Sequence, residues 1–129
     1  MSTNTTIDAV ARVYATSLLE LAEAAGGDEK IAETGEQLAA VVEIVHSDPQ
    51  FAEFLRSPIV KRSSRGDSIR RMLDGQVSDL LLRFLLVLND KGRLGRLADV
   101  SAAFEEILNE RFGKVEVDVF TVDGRLRSE

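Results

Sequence analysis

Cysteine and tryptophan are both absent from the 129 residues. Without cysteine there can be no disulfide, no thiolate metal ligand and no cysteine nucleophile. The absence is compatible with a reducing compartment. One histidine, His46, cannot build a transition-metal site unless carboxylates join it, and no such cluster is visible in the sequence. Its place at the end of a helical segment suits a partly cationic ring near a helix C-terminus. One tyrosine and six phenylalanines leave the core to alanine, leucine and valine, as in packed helices. Glycine-rich phosphate loops, His-Glu-x-x-His and EF-hand spacings are missing as well. The opening Met-Ser-Thr-Asn-Thr-Thr holds no apolar secretory run and no arginine-rich presequence. The many carboxylates, Glu105, Glu106 and Glu110 among them, fall on helix faces that read as solvated surface rather than as an acid/base pair. The expectation is a protein that is not an enzyme, with no catalytic residues, no metal and no cofactor.

What is present reads as one globular unit. Hydrophobic residues make up 44% and charged residues 29%, an ordinary globular balance. The net charge of −6 is unevenly spread. Residues 1–55 carry ten acids against Arg12 and Lys30, whereas residues 56–71 hold Arg56, Lys61, Arg62, Arg65, Arg70 and Arg71 against Asp67 alone. No aromatic residue lies between Arg56 and Arg71 to stack on a base, and the chain as a whole is acidic, so nucleic acid is not expected as a partner. An acidic protein surface, or plain solvation, accounts for these charges equally well.

The most informative stretch is Leu80 to Leu88, in which only Arg83 is polar. A helix of this composition is apolar on every side, so it must be central or must offer one side to another molecule. It falls short of the ~20 apolar residues needed to cross a bilayer, and no direct membrane insertion is expected. Asn89-Asp90-Lys91-Gly92 ends it, with Gly92 suited to the left-handed conformation that closes helices.

Helical periodicity predicts six helices. The first runs from Ile7 to Ala25, with Ile7, Val10, Tyr14, Leu18, Leu21 and Ala25 as its stripe, and stops at Gly26-Gly27. Its apolar sector is wider than one neighbour requires. A second, capped by Asp28, carries Ile31, Leu38, Val41, Val42 and Val45. A brief third begins with Asp48 as cap and Pro49 at the first helical position. The fourth covers Arg62 to Leu73, with Ile69, Met72 and Leu73 inward, the arginines outward and Ser63-Ser64 as candidate N-cap. The fifth spans Val77 to Asn89, and the sixth runs from Arg96 to Phe112. From Lys114 to Val122 the period changes to two, which predicts a strand. An isolated strand lacks hydrogen-bond partners. The fold expected is therefore all-α, a six-helix bundle over residues 1–113. Residues 114–129 would then be the first β-strand of a truncated or absent C-terminal α/β-type domain.

Four segments carry a resemblance. They are Ala11-Arg12-Val13-Tyr14-Ala15 with Leu18-Leu19-Glu20-Leu21-Ala22, Phe54-Leu55-Arg56-Ser57-Pro58-Ile59-Val60 before a basic helix, Phe84-Leu85-x-x-Leu88 leading into Lys91-Gly92-Arg93-Leu94, and Glu110-Arg111-Phe112-Gly113 followed by Val115-Glu116-Val117-Asp118-Val119. In this order and spacing the chain resembles the delta subunit of the F-type ATP synthase, the family of the oligomycin-sensitivity-conferring protein. The resemblance implies a six-helix bundle on top of the catalytic head, binding the N-terminal amphipathic helix of an alpha subunit in a groove between the first and fifth helices. Tyr14 and Ser17 on the first and Phe84 and Val87 on the fifth would line that groove, with Val10, Leu18, Leu80 and Leu88 as neighbours. For each of these residues, ordinary core packing is the alternative.

The resemblance further implies a non-enzymatic stator subunit of a bacterial-type complex at the cytoplasmic face of the inner or plasma membrane. Its b-subunit stalk would be held only if the C-terminal domain were present. Arg83, Arg93 and the acidic sector of the first helix would fix the register of the bound helix. A charge at Phe84 or Val87 is expected to abolish alpha-helix binding while leaving the fold largely intact. The other reading of the same surface is a generic helical interaction module that takes an amphipathic helix from a different partner.

Overall fold

The computed structural model describes residues 2–113 and is all-α. Its helices are α1 (Ser2–Ser47), α2 (Pro49–Arg56), α3 (Arg62–Leu73), α4 (Asp79–Asp90) and α5 (Leu97–Leu108), with a 3-10 turn at Leu94–Arg96 and a π-helical turn at Asn109–Gly113. The count is five rather than six, because the first two expected helices join without an intervening loop. Their junction is still a real break: Gly26 (φ −173°, ψ 16°) and Gly27 (φ 74°, ψ −152°) leave helical space. The positive φ of Gly27 is one that residues with a Cβ adopt at a cost, and it splits α1 into two arms, residues 2–25 and 28–47. The expected strand over Lys114 to Val122 lies outside the described residues.

Local chemistry sets most of the helix ends. Asp48 Oδ1 accepts from the Gln50 and Phe51 amides at 3.1 and 3.2 Å, with Pro49 at the first position, as the sequence indicates. Ser78 Oγ accepts from the Leu81 amide at 3.2 Å and opens α4. The expected Ser63-Ser64 cap of α3 is not formed: Lys61 occupies the cap position and makes no side-chain cap bond, so both serines lie inside the first turn. At the far end of α4, Gly92 (φ 70°) donates its amide to the Asn89 carbonyl and Arg93 to that of Leu88. These paired bonds form a Schellman motif, which satisfies carbonyls that the helix end would leave orphaned.

The core lies chiefly between α1 and α5, the most extensive interhelical interface. From the first arm come Ala11, Ala15, Leu18, Leu19 and Ala22, and from the second Ile31, Leu38 and Val41. Leu97, Val100, Ala103 and Phe104 answer from α5, and Leu81, Leu85 and Leu88 of α4 close the core. Each fully buried leucine contributes about 2 kcal/mol by removing its side chain from water. Small residues allow the helices to approach closely: a Cβ on Gly35 would sit 3.1 Å from the Phe104 ring and 3.2 Å from Leu108. The stripe of the first helix differs from expectation at Leu21, which is 52% exposed, and at Ala25, because the true core line turns through the alanines instead. On α3, Met72 faces outward at 47% exposure.

Arg65 reverses the expectation that the α3 arginines point to solvent, since it is only 6% exposed. Its Nε donates to the Phe54 carbonyl at 3.3 Å and Nη1 to Asn89 Oδ1 at 3.3 Å. Nη2 donates to the carbonyls of Ser57 and Val60. The guanidinium thus ties α3, α4 and the α2–α3 connection into one unit.

Two sets of ion pairs fasten the end of the bundle to its beginning. Arg12 reaches Glu106 at 2.8 Å and Glu110 at 3.0 Å, while Arg111 reaches Glu23 at 2.8 Å and Asp28 at 3.9 Å. The hydrogen bond and charge of Arg111 hold the Glu23 carboxyl below its ordinary value, and Glu23 in turn raises Arg111.

Candidate functional site

The helix rich in leucine, α4, buries Leu81, Leu82, Phe84, Leu85 and Leu88. One of its faces carries Leu80, Phe84 and Val87 at spacing i, i+4, i+7, and α1 carries Val10, Tyr14 and Ser17 at the same spacing. The two faces meet where Tyr14 stacks edge-on against Phe84, with ring centroids 6.4 Å apart and an interplanar angle of 73°. That geometry suits the quadrupoles of both rings. The Schellman motif then delivers Arg93 to Tyr14, with its guanidinium 5.8 Å from the ring centroid and Nη1 donating to the phenol oxygen at 3.4 Å.

The expected groove residues occupy three depths. Leu18 and Leu88 are fully buried and belong to the core beneath the surface. Phe84 is 7% exposed, and Val10, Tyr14 and Leu80 are half-buried. Ser17 and Val87 are exposed, Val87 by 45%. A charge at Phe84 would therefore enter the core, and only Val87 of that pair can be charged with the fold intact. Val13, which the sequence reading left out, is 66% exposed on the same stretch of α1. Its position three residues after Val10 and four before Ser17 is a helical signal that could have found it. Ala9, Arg12, Val13, Thr16 and Ser17, all of α1, line a wide-open depression on the outer side of that helix. On α4, Arg83 pairs with Asp79 at 3.1 Å at the rim.

No group of three or more metal-ligating side chains occurs among the described residues. No helix among them is long and apolar enough to cross a membrane.

The described residues define an all-α bundle domain in which α1 and α4 meet at the Tyr14–Phe84 contact, with Val13 and Val87 exposed. The chain matches the ATP synthase delta (OSCP) subunit family over residues 10–124. It is similar to the ATP synthase subunit delta of Clostridium kluyveri, at 33% identity over 111 residues, covering 86% of this chain and 60% of the relative. The corresponding protein of Symbiobacterium thermophilum is 34% identical over 111 residues, with 86% and 58% covered, and that of Chlorobium phaeobacteroides 35% over 108 residues, with 84% and 58% covered. The chain belongs to the ATP synthase delta (OSCP) subunit family. It spans a little under two thirds of the length of these relatives. No solved structure matches it significantly.

Proposed function

We propose that the chain acts as a non-catalytic stator component of an F-type ATP synthase, holding the N-terminal helix of an alpha subunit across the α1–α4 surface. The observation that carries this reading is the pair of exposed valines, Val13 and Val87, on two helices joined by the Tyr14–Phe84 contact. An amphipathic helix laid there covers apolar surface on both helices at once, which is helix-in-groove recognition. Ser17 gives the incoming backbone room, and Arg93 and the Arg83–Asp79 pair give the rim its charge. Burial of apolar surface supplies slow dissociation, and charges at the rim set register. The role is mechanical: the head must not turn with the rotating central stalk, so the contact has to resist torque during ATP synthesis. The bundle would serve a peripheral complex at the cytoplasmic face of the membrane, and attachment to a b-subunit stalk would need residues beyond the bundle.

The test is calorimetric titration with a peptide of the alpha-subunit N-terminus from the same organism. One-to-one binding with a negative heat-capacity change supports the assignment. A folded sample that takes up no peptide refutes it.

A further inference from the structure

On a different part of the molecule, the basic segment folds into a cavity that the helix-binding reading does not use. Leu55, Ser57, Pro58, Asn89, Gly92 and Leu94 contribute to its walls, and it is a half-open cavity of about 680 Å³. That is within the range of roughly 300–1,000 Å³ typical of small-molecule sites. Four cationic side chains line it: Arg56, Lys61, Arg62 and Arg65. We propose that this cavity binds a compact polyanion of the diphosphate class.

Three observations carry the proposal. First, the cations are largely uncompensated. Arg56 holds Glu53 at 3.2 Å, but among the described residues no carboxylate lies within 4.0 Å of Lys61, Arg62 or Arg65. Elsewhere Arg12, Arg70, Arg83 and Arg111 each hold an acid, while Arg71, Lys91, Arg93 and Arg96 hold none among the described residues but line no part of this cavity. Like charges gathered in one concavity repel, and a multivalent anion removes that repulsion.

Second, one cation of the wall is built into the fold, while Arg56, Lys61 and Arg62 are exposed around it. The Arg65 guanidinium is 6% exposed and fixed by the carbonyls of Phe54, Ser57 and Val60 and by Asn89 Oδ1. Those acceptors are neutral, so the charge remains and its field reaches the cavity through a medium of low dielectric. Arg62 is likewise held by a neutral partner, Nη1 donating to the Asp90 carbonyl at 2.6 Å. Its Nη2 packs over Gly92, where an added Cβ would come within 2.8 Å.

Third, the cations are clustered. A carboxylate-rich peptide spreads its charges along an extended backbone, whereas these four cations line one cavity. Two adjacent phosphoryl groups place comparable charge in that space and suit the forked donors of arginine. The cavity also begins where α3 begins, at an N-cap with no side-chain acceptor.

The proposal is independent of the alpha-subunit reading, because none of these residues lies on the α1–α4 surface. The test is a ¹⁵N NMR titration of the 129-residue chain with sodium pyrophosphate at constant ionic strength. The expected result is a saturable shift confined to the amides of Ser57, Lys61–Ser64, Gly92 and Gly95. Lys61→Glu and Arg56→Glu, both at exposed positions, should each weaken binding by roughly tenfold or more with the spectrum otherwise intact. A parallel titration with a nucleoside diphosphate separates the sources. Equal affinity indicates the inorganic anion, and tighter binding indicates an ester whose organic part lies on Leu55, Pro58 and Leu94. Three outcomes overturn the proposal: no saturable shift, shifts spread equally over Arg70, Arg71, Arg83 and Arg96, or binding of a polyglutamate peptide in place of pyrophosphate.

Discussion

Arg65 and Asn89 meet in the interior, where the guanidinium donates to the side-chain carbonyl at 3.3 Å while the Asn89 amide donates to the Arg62 carbonyl at 2.8 Å. Asn89 therefore spans α3 with both ends of its side chain. It is 2% exposed, so neither bond can be replaced by bulk water. Replacing it by leucine leaves a buried guanidinium N–H unpaired and strips the Arg62 carbonyl of its side-chain donor, at about 2 kcal/mol. Urea unfolding of Asn89→Leu should show a lower midpoint with an unchanged slope. Arg65→Lys should also destabilise, because an ammonium cannot serve acceptors disposed around a planar fork.

Gly35→Ala tests the close approach of α1 to α5. In an exposed helix, alanine in place of glycine stabilises by roughly 0.5–1 kcal/mol. Here the new methyl meets Phe104 and Leu108 at 3.1 and 3.2 Å, and Phe104 is fully buried with no room to withdraw. Overpacking costs about 1–3 kcal/mol and outweighs the propensity gain. The melting temperature should fall; a rise would mean that α5 moves freely away from α1.

Val13→Asp and Val87→Asp examine the α1–α4 surface from its two sides. Both side chains are well exposed, so each change should alter stability by no more than about 0.5 kcal/mol. Each should nonetheless reduce affinity for the alpha-subunit peptide at least tenfold in calorimetry, since a charge would be buried under the bound helix. Unchanged affinity in both variants removes that surface from the binding site.

The Glu23–Arg111 pair predicts part of the acid response. A carboxyl whose pKa is lower in the folded chain than in the unfolded one stabilises the fold above its unfolded value. That contribution fades as pH falls from about 4.5 through the depressed folded value. Carbon-detected NMR should find Glu23 titrating below its ordinary carboxylate value. In Glu23→Gln the stability curve should be flatter over that acid interval, and in Arg111→Gln the Glu23 titration should return to its ordinary place.

Helix positions were largely legible in the sequence, because caps and apolar spacing act locally. Asp48-Pro49 opens α2 where its chemistry says it should, and Gly92 closes α4 by the left-handed route its lack of a Cβ allows. Arg65 was not legible. Nothing in Arg62-Ser63-Ser64-Arg65 says which arginine turns inward, since its acceptors are carbonyls of Phe54, Ser57 and Val60 set in place by tertiary folding. The join between the first two expected helices was not legible for a related reason: Gly26-Gly27 signals a break but not whether a loop follows, and here the second arm resumes at once. At the candidate surface, the family resemblance placed Tyr14 and Phe84 on facing helices, while the depth of Leu18 and Leu88 depended on the tertiary packing around them.

The dominance of the α1–α5 interface bears on how the chain is made. Synthesis delivers α1 first and α5 last among the described helices, so the stripe of Ala11, Ala15, Leu18 and Ala22 stays without its main cover while the intervening helices are translated. Contacts so distant in sequence form only after the connecting loop closes, and the closure entropy must be met before they contribute. A ribosome stalled before Phe104 emerges would therefore carry a nascent chain with its longest helix open to proteases and to chaperones. Native structure would appear abruptly once α5 clears the exit tunnel, rather than accumulating helix by helix.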